Sequence, residues 1–571
     1  MFARLIDRYG IWVILSLFAF GGMFGLAYHF GFPIAVNDES PPMAAAIKMV
    51  ADHNLRANYP SFYYMPLSAH MVLPFVAGGL GVAYLFGDFQ SFAEFERFII
   101  VDFAKLLPAA RLASVFYGLL SLWLLYRIAL MLYGSRRLAL ASAWFFASSL
   151  MLVQLAHIAR VWTMEVFLML LALFFVARIW KSDRGEMKDY LGAALASALA
   201  FGVNVIGLVV FSALICVHFQ KSDRSRWVHA CLDRRLLASV GLIILSVPVM
   251  YYLNPYGFAN FTNYASKFVH VVSPVVLEEA PTSLAAYGAP GEGVLYYARI
   301  LVEYDPLLVL LALLGVVAWY RLSRRTFLWL ACYEIVYYAS ATLLSGTHTV
   351  AFEPRYALPL YPAFALSAAV GFRELWRRAR RPLPQHVLLF FILIFTLTIP
   401  TLWLSRFTLP ATRVMAFDFV RTAIPDGSRL LNVDDRIPFP ENVAALGEVA
   451  SRTPKFMTKK RSWLREHPEE ITYPAYFVTT TSYYSGSAPD ASSTYDYVVV
   501  SWWGPDDRAV RLSELTRFLN GKQIVSIAHF PVDASDETES IDLANNMRSP
   551  AFRLWGTHHN GPVVDVYGVK P

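Results

Sequence analysis

The chain has 571 residues, of which 57% are hydrophobic and only 16% charged, with a mean hydropathy of +0.45. Soluble globular domains carry roughly a quarter charged residues, so this composition excludes an ordinary soluble protein. The formal net charge of +7 does not point to nucleic acid, because it is unevenly placed: 18 basic and 20 acidic residues follow position 404, leaving 31 of the 49 basic and 22 of the 42 acidic before it.

The apolar residues fall in runs of about 17–25, the length that crosses a bilayer core of about 30 Å. Residues 11–30 are too long for a signal-peptide core and lack a small-residue cleavage site, so they read as a first spanning helix running outward. A long external segment, residues 31–110, follows. Within it, residues 67–86 are apolar enough to span, but a crossing there would invert every later loop. They are therefore expected to form an amphipathic helix along the membrane surface. Spans are then predicted at 111–132, 138–157 and 161–180. Residues 190–219 have basic flanks at both ends, so they read as a hairpin of two short helices meeting near Gly202–Asn204. Further spans follow at 236–253, 300–320, 327–344, 356–372 and 387–404, about eleven in all.

The basic residues bound these runs. Arg4 and Arg8, then Arg127, Arg136 and Arg137, then Arg178, Lys181, Arg184 and Lys188 are the first three clusters. Lys221 to Arg235, Arg321 to Arg325 and Arg373 to Arg381 complete the set. The positive-inside rule places all of them in the cytoplasm, with the N-terminus inside and the C-terminus outside. Cys216, Cys231 and Cys332 lie within or beside membrane segments, so no disulfide framework is implied.

After residue 404 the pattern changes. Helices are predicted at 411–424 and 511–520, and strands at 429–433, 495–501, 523–528 and 562–569. Alternating strands and helices over residues 405–571 imply an external α/β domain long enough to bury its own core.

Three polar constellations stand out against the apolar background. Asp38 and Glu39 follow the first span and precede Pro41 and Pro42. They fit a helix N-terminus, or a general base tuned by a neighbouring carboxylate. Arg160 and Glu165 lie at an external turn. They read as interfacial charges, or, since Glu165 enters an apolar helix by a full turn, as part of a functional site. Arg355 and Tyr356 open a segment interrupted by Pro359 and Pro362, where an arginine fork suits a phosphate. Lys267, His270 and Arg299 are further external cations, either solvated or phosphate-facing. The threading brings all three constellations to one face, which suits an anionic lipid head group and an acceptor hydroxyl.

This arrangement resembles the GT-C glycosyltransferases of the protein O-mannosyltransferase and lipid A aminoarabinose transferase type. The resemblance covers roughly the first 400 residues. It rests on Asp38-Glu39, on the aromatic-proline stretch from Tyr59 to Pro66, and on Ala110-Arg111-Leu112-Ala113. The basic glycine turn at 133–137, the Arg160-to-Glu165 turn, the short hairpin and the Arg355-Tyr356…Pro359…Pro362 helix extend it. Two positions depart from the family pattern: the second acid is Glu165 rather than Asp, and Asn204 stands at the hairpin apex where Lys is frequent.

The resemblance implies a GT-C membrane domain over residues 1–404 that transfers one sugar, with inversion, from a polyprenyl-phosphate lipid to a hydroxyl of a glycan, lipid or protein. Asp38 would be the base, with Glu39 beside it. Arg160, Arg355, Lys267 and Tyr356 would hold the lipid phosphate, and Glu165 would support them or, with Asp38, bind a divalent cation. Tyr59, Phe62, Tyr63 and Tyr64 fit sugar stacking or an interfacial aromatic belt. A bacterial inner membrane with a periplasmic tail is the matching location. A ligase using a lipid pyrophosphate, a lipid or sugar transporter and a non-catalytic scaffold remain alternative classes.

Overall fold

Helices dominate the described residues up to 405, because apolar segments in lipid must satisfy every backbone polar group internally. The computed structural model describes residues 2–26, 40–57, 65–183, 185–222, 227–255, 292–345, 354–409, 411–433, 437–481, 494–502, 505–519, 521–531, 540–541, 550–555 and 559–570. Among these, five helical segments are long and apolar enough to cross a membrane: Leu67–Leu85, Phe103–Tyr133, Trp162–Lys181, Arg234–Leu253 and Pro382–Thr408. Two bent pairs raise the number to seven, against the eleven expected. The chain is a multi-pass membrane protein.

The bends correct two expectations of continuous helices. Arg136–Ala147 and Leu150–Ala156 meet at 61° across Ser148-Ser149. There the two hydroxyls bond back to the Trp144 and Phe146 carbonyls, a competing arrangement that ends the first helix. Leu295–Tyr304 and Pro306–Leu322 meet at 115°. Asp305 precedes a proline and is driven out of the helical region to φ −136°, ψ 63°.

The Leu67–Leu85 helix lacks the amphipathic character expected of it. Its exposed positions include Pro74, Ala77, Gly78, Gly81, Val82 and Leu85, so it has no polar face to lay on a membrane surface. Its inner side, with Val72, Val76 and Leu80 fully or nearly buried, packs against Ser40–Ala51 and Leu107–Tyr133. A helix apolar on every side belongs in lipid or in a core.

Pro306–Leu322 packs tightly against Tyr361–Arg378. A Cβ placed on Gly315 would overlap the Ser367 carbonyl oxygen, and one on Gly371 would overlap that of Leu311. Two facing glycines let the backbones touch, as small residues do at membrane helix interfaces. Gly315→Ala must push these backbones apart. It should lower stability by about 1–3 kcal/mol, as overpacking does, and thermal unfolding in detergent reads the loss directly.

Beyond residue 411 a five-stranded sheet forms the second unit. Arg429–Asn432 lies between Phe477–Thr480 and Tyr497–Trp502, parallel to both. Val563–Val569 pairs antiparallel with Tyr497–Trp502 on one side and Ile524–Phe530 on the other. Thr412–Ala423 covers one face through Ala416 and Val420, and Pro505–Leu519 the other through Leu515 and Leu519. The Phe477–Thr480 strand and the helices Val443–Arg452 and Lys459–Glu466 go beyond the elements predicted from the sequence.

The sheet unit rests on the first long loop. Phe92–Val101 starts with a capping box in which Ser91 and Glu94 each accept from the other's backbone N–H. The backbone N–H groups of Gln90 and Ser91 hold the Glu94 carboxyl below the ordinary carboxylate range. From this helix Arg97 Nε reaches Glu470 at 2.8 Å, and Lys460 Nζ donates to the Val101 carbonyl at 3.2 Å. Burial in this contact lowers the Lys460 pKa, against the opposing pull of Asp102.

Candidate active site

The turn before Trp162–Lys181 is held from three sides. His157 places Nδ1 2.7 Å from the Val153 carbonyl and Nε2 at 3.0 and 3.1 Å from those of Gly21 and Phe24. Its ring lies against Trp403 and Phe407. Ser114 Oγ donates to the Ile158 carbonyl at 2.6 Å. Arg111, fully buried, donates Nη1 to the Leu26 carbonyl at 3.1 Å. The C-terminal end of the first helix and the 157–165 turn are thereby fixed to one another and to Leu107–Tyr133.

On this turn Arg160 is 2% exposed and Glu165 is wholly buried in the first turn of its helix. An acid there is favoured by the positive end of the helix dipole. Its Oε2 accepts from Asn204 Nδ2 at 2.9 Å, and its buried Oε1 has no hydrogen-bond partner among the described residues. Asn204 stands where Met187–Val203 gives way to a short 3-10 turn, in extended backbone at φ −152°, ψ 135°. The reversal is tight: a Cβ on Gly207 would come within 2.6 Å of the Ala200 carbonyl oxygen. The hairpin read from the sequence thus exists, and its apex residue is a neutral donor to the buried acid. Asn204→Ala removes that donor and leaves the acid wholly unsatisfied. It should destabilise the protein by about 1–3 kcal/mol, measured by thermal unfolding, whereas Asn204→Gln should recover part of the loss.

Arg355 and Tyr356 come to the same place from the Pro354–Leu360 turn. The Arg355 guanidinium lies 5.5 Å from the Trp162 ring centre, and Tyr356 meets that ring edge-on at 4.7 Å. Two tyrosines one turn apart on Arg324–Ser345 anchor the segment. Tyr337 donates to the Tyr356 carbonyl at 3.1 Å and Tyr333 to that of Pro359 at 3.0 Å. Both are also within electrostatic range of Glu165. Arg355 and Tyr356 therefore meet at Trp162, which stands between Arg160 and Glu165 in the chain, and Arg355 is only 9% exposed. Guanidinium groups drawn this far from water attract an anion far more strongly than exposed ones.

Trp162, Tyr333 and Tyr337 were not singled out from the sequence, although tyrosines four apart in an apolar helix are a readable sign of a shared polar task. Asp38, Glu39, Tyr59, Phe62, Tyr63, Tyr64, Lys267 and His270 lie outside the described residues. Among the described residues no group of three metal-ligating side chains occurs. The divalent-cation site expected of Asp38 and Glu165 has one of its two carboxylates, Asp38, outside the described residues.

A family comparison covers the core of this site. Residues 99–252 match the family model of dolichyl-phosphate-mannose-protein mannosyltransferase. The chain is thus similar to GT-C glycosyltransferases of the protein O-mannosyltransferase type, over a stretch that holds Arg111, Arg160, Trp162, Glu165 and Asn204. As a whole sequence it has no significant match among curated proteins. Its fold aligns with ArnT from Cupriavidus metallidurans bound to undecaprenyl phosphate at 12% identity and a TM-score of 0.48, covering 98% of both chains. The apo form of that protein aligns at 13% identity and 0.47, with the same coverage. An archaeal oligosaccharyltransferase, AglB from Archaeoglobus fulgidus in complex with an inhibitory peptide and a dolichol-phosphate, aligns at 11% identity and 0.43. That alignment covers 87% of this chain and 70% of the other.

Proposed function

We propose that this protein transfers a single sugar from a polyprenyl-phosphate donor to a hydroxyl acceptor on the extracytoplasmic side of a bacterial inner membrane. The observation that carries this reading is buried Arg355 against the ring of Trp162, a residue that lies within the stretch matching the mannosyltransferase family and is flanked in sequence by buried Arg160 and Glu165. Two desolvated guanidinium groups make a seat for a phosphate monoester, since charge-assisted bonds to such an anion are about twice as strong as neutral ones.

In this reading Asp38 takes the proton of the acceptor hydroxyl as its oxygen attacks the anomeric carbon. The bond from that carbon to the phosphate oxygen breaks on the opposite face, so the configuration inverts and polyprenyl phosphate departs. Arg160 and Arg355 stabilise the charge that develops on the leaving oxygen, where preorganised donors have their greatest effect. Tyr356 and, from its own loop, Lys267 complete the phosphate seat. Glu165, held by Asn204, balances the arginines. Tyr59, Tyr63 and Tyr64 stack on the sugar. The N-terminus lies in the cytoplasm and residues 405–571 form an extracytoplasmic domain.

The anomeric configuration of the product tests the displacement. Nuclear magnetic resonance of the product should show inversion relative to the donor. Retention would rule out the one-step attack, and turnover only with pyrophosphate-linked donors would favour an oligosaccharide ligase.

A further inference from the structure

The helix Trp162–Lys181 starts without a side-chain cap: the residue before it, Val161, lies in helical backbone and offers no side-chain acceptor. The first bond of the helix runs from the Glu165 N–H to the Val161 carbonyl at 2.8 Å. The N–H groups of Trp162, Thr163 and Met164 therefore precede the ladder, as the first N–H groups of a helix do. All three residues are buried. Buried backbone donors are normally met by a side chain, a water or a ligand.

A side chain at the same place points to a ligand. Thr163 is wholly buried, and its Oγ1 has no hydrogen-bond partner among the described residues. A helical threonine can donate to the carbonyl three or four residues back, and this one does not. Its Cβ, like every helical Cβ, leans toward the N-terminus, so the hydroxyl lies over the open mouth of the helix. Phe167, one turn further on, meets the Tyr117 ring at 5.5 Å, which sets the Thr163 side of the helix toward Leu107–Tyr133. Ser114 Oγ on that helix already donates to the Ile158 carbonyl. Glu165 stands ~200° round the helix from Thr163 and turns to Asn204.

Backbone donors and one hydroxyl donor at the positive end of a 20-residue helix form an anion seat. One edge of the seat is Trp162, on whose ring the Arg355 guanidinium lies. Its occupant has to bring several acceptor oxygens and negative charge to a buried place. A phosphate monoester does so, whereas a sugar hydroxyl brings one oxygen and no charge.

We infer that Thr163 is a phosphate-binding residue: its hydroxyl and the N–H groups that open Trp162–Lys181 receive the phosphate of the polyprenyl lipid beside Arg355. The assignment rests on the donor proposed above and adds a neutral, directional contact to charges that attract any anion. It also accounts for a wholly buried hydroxyl without a partner. Such a group lowers the stability of the empty protein and is satisfied when the lipid arrives.

Thr163→Val keeps the shape of the side chain and removes the hydroxyl, which separates this role from a structural one. Full-length wild type, Thr163→Val and Thr163→Ser are unfolded thermally without ligand and titrated with a short-chain polyprenyl phosphate and with polyprenol of the same length. Thr163→Val should unfold no earlier than wild type, since it removes an unsatisfied buried group. It should nevertheless bind polyprenyl phosphate ~tenfold more weakly, the ratio that corresponds to one charged hydrogen bond. Thr163→Ser should restore most of that affinity, and polyprenol should bind all three proteins equally. Undiminished binding of polyprenyl phosphate by Thr163→Val overturns the assignment and leaves the arginines as the phosphate seat. Earlier unfolding of Thr163→Val, restored by serine, overturns it too, because the hydroxyl then has a partner inside the protein. Wild type that binds polyprenyl phosphate no better than polyprenol overturns both this assignment and the function proposed above. Displacement of the lipid by an equal concentration of inorganic phosphate overturns the lipid as the occupant.

Discussion

Asp38→Asn protein should fold, keep its affinity for the lipid donor and transfer sugar at least ~100-fold more slowly than wild type, the factor a positioned general base supplies. Asparagine has nearly the same shape as aspartate, so the phosphate seat is left as it was. What is lost is the acceptor for the hydroxyl proton in the transition state, and such a loss lowers kcat while leaving donor binding in place. Asp38→Glu should recover part of the rate if its longer side chain can reach the same oxygen. A variant as active as wild type would remove Asp38 from the chemistry and leave the arginine site standing. Comparing kcat with donor affinity for each variant separates these outcomes.

The second large effect concerns Arg355. Arg355→Ala should weaken binding of polyprenyl phosphate by about 100-fold or more, since removing one partner of a buried charge pair costs several kcal/mol. The same change uncovers the Trp162 ring on which the guanidinium lies. Arg355→Lys keeps the charge but not the planar fork or the stacking, so it should recover only part of the affinity. Arg160→Ala should behave in the same way. The two changes together should fall short of additivity, because both groups act on one phosphate. Titration with a short-chain polyprenyl phosphate, read by quenching of tryptophan fluorescence, measures each loss. Binding unchanged in either alanine variant would take that arginine out of the phosphate seat.

Much of this arrangement was legible in the sequence, for reasons that differ from element to element. The helices 162–181 and 234–253 declared themselves by apolar length, and the hairpin apex at Asn204 by an apolar run too long for one span with basic residues at both ends. The sheet strands at 497–502 and 563–569 showed as short valine-rich runs, and 429–432 as a short apolar stretch after the turn Pro425-Asp426-Gly427.

The bends were hidden because nothing in mean hydropathy marks them. Ser148-Ser149 breaks its helix through side-chain bonds to backbone carbonyls, and Asp305 through the proline after it and the partner it finds at Leu150. The Leu67–Leu85 segment differs from expectation in amphipathicity alone: every exposed position on that helix is apolar or glycine apart from the Tyr84 hydroxyl.

At the site, Arg160, Glu165 and Arg355 were visible as charges in apolar surroundings. That Arg355 lies on Trp162 was not, because the two are nearly 200 residues apart and are joined by the packing of Trp162–Lys181 against the 354–360 turn. The pairing of Asn204 with Glu165 was equally unreadable, since an asparagine at a helix break has an ordinary role as an end residue.

The central claim is that a polyprenyl-phosphate sugar is consumed one unit at a time, and it is tested most directly by following donor and product together. Purified protein, reconstituted with membrane extract as acceptor and a panel of radiolabelled polyprenyl-phosphate sugars, should turn over one of these donors and release one polyprenyl phosphate for each sugar transferred. If no polyprenyl-phosphate sugar is consumed while the same protein still binds polyprenyl phosphate, the site holds the lipid without transferring from it, and the glycosyltransferase account is contradicted.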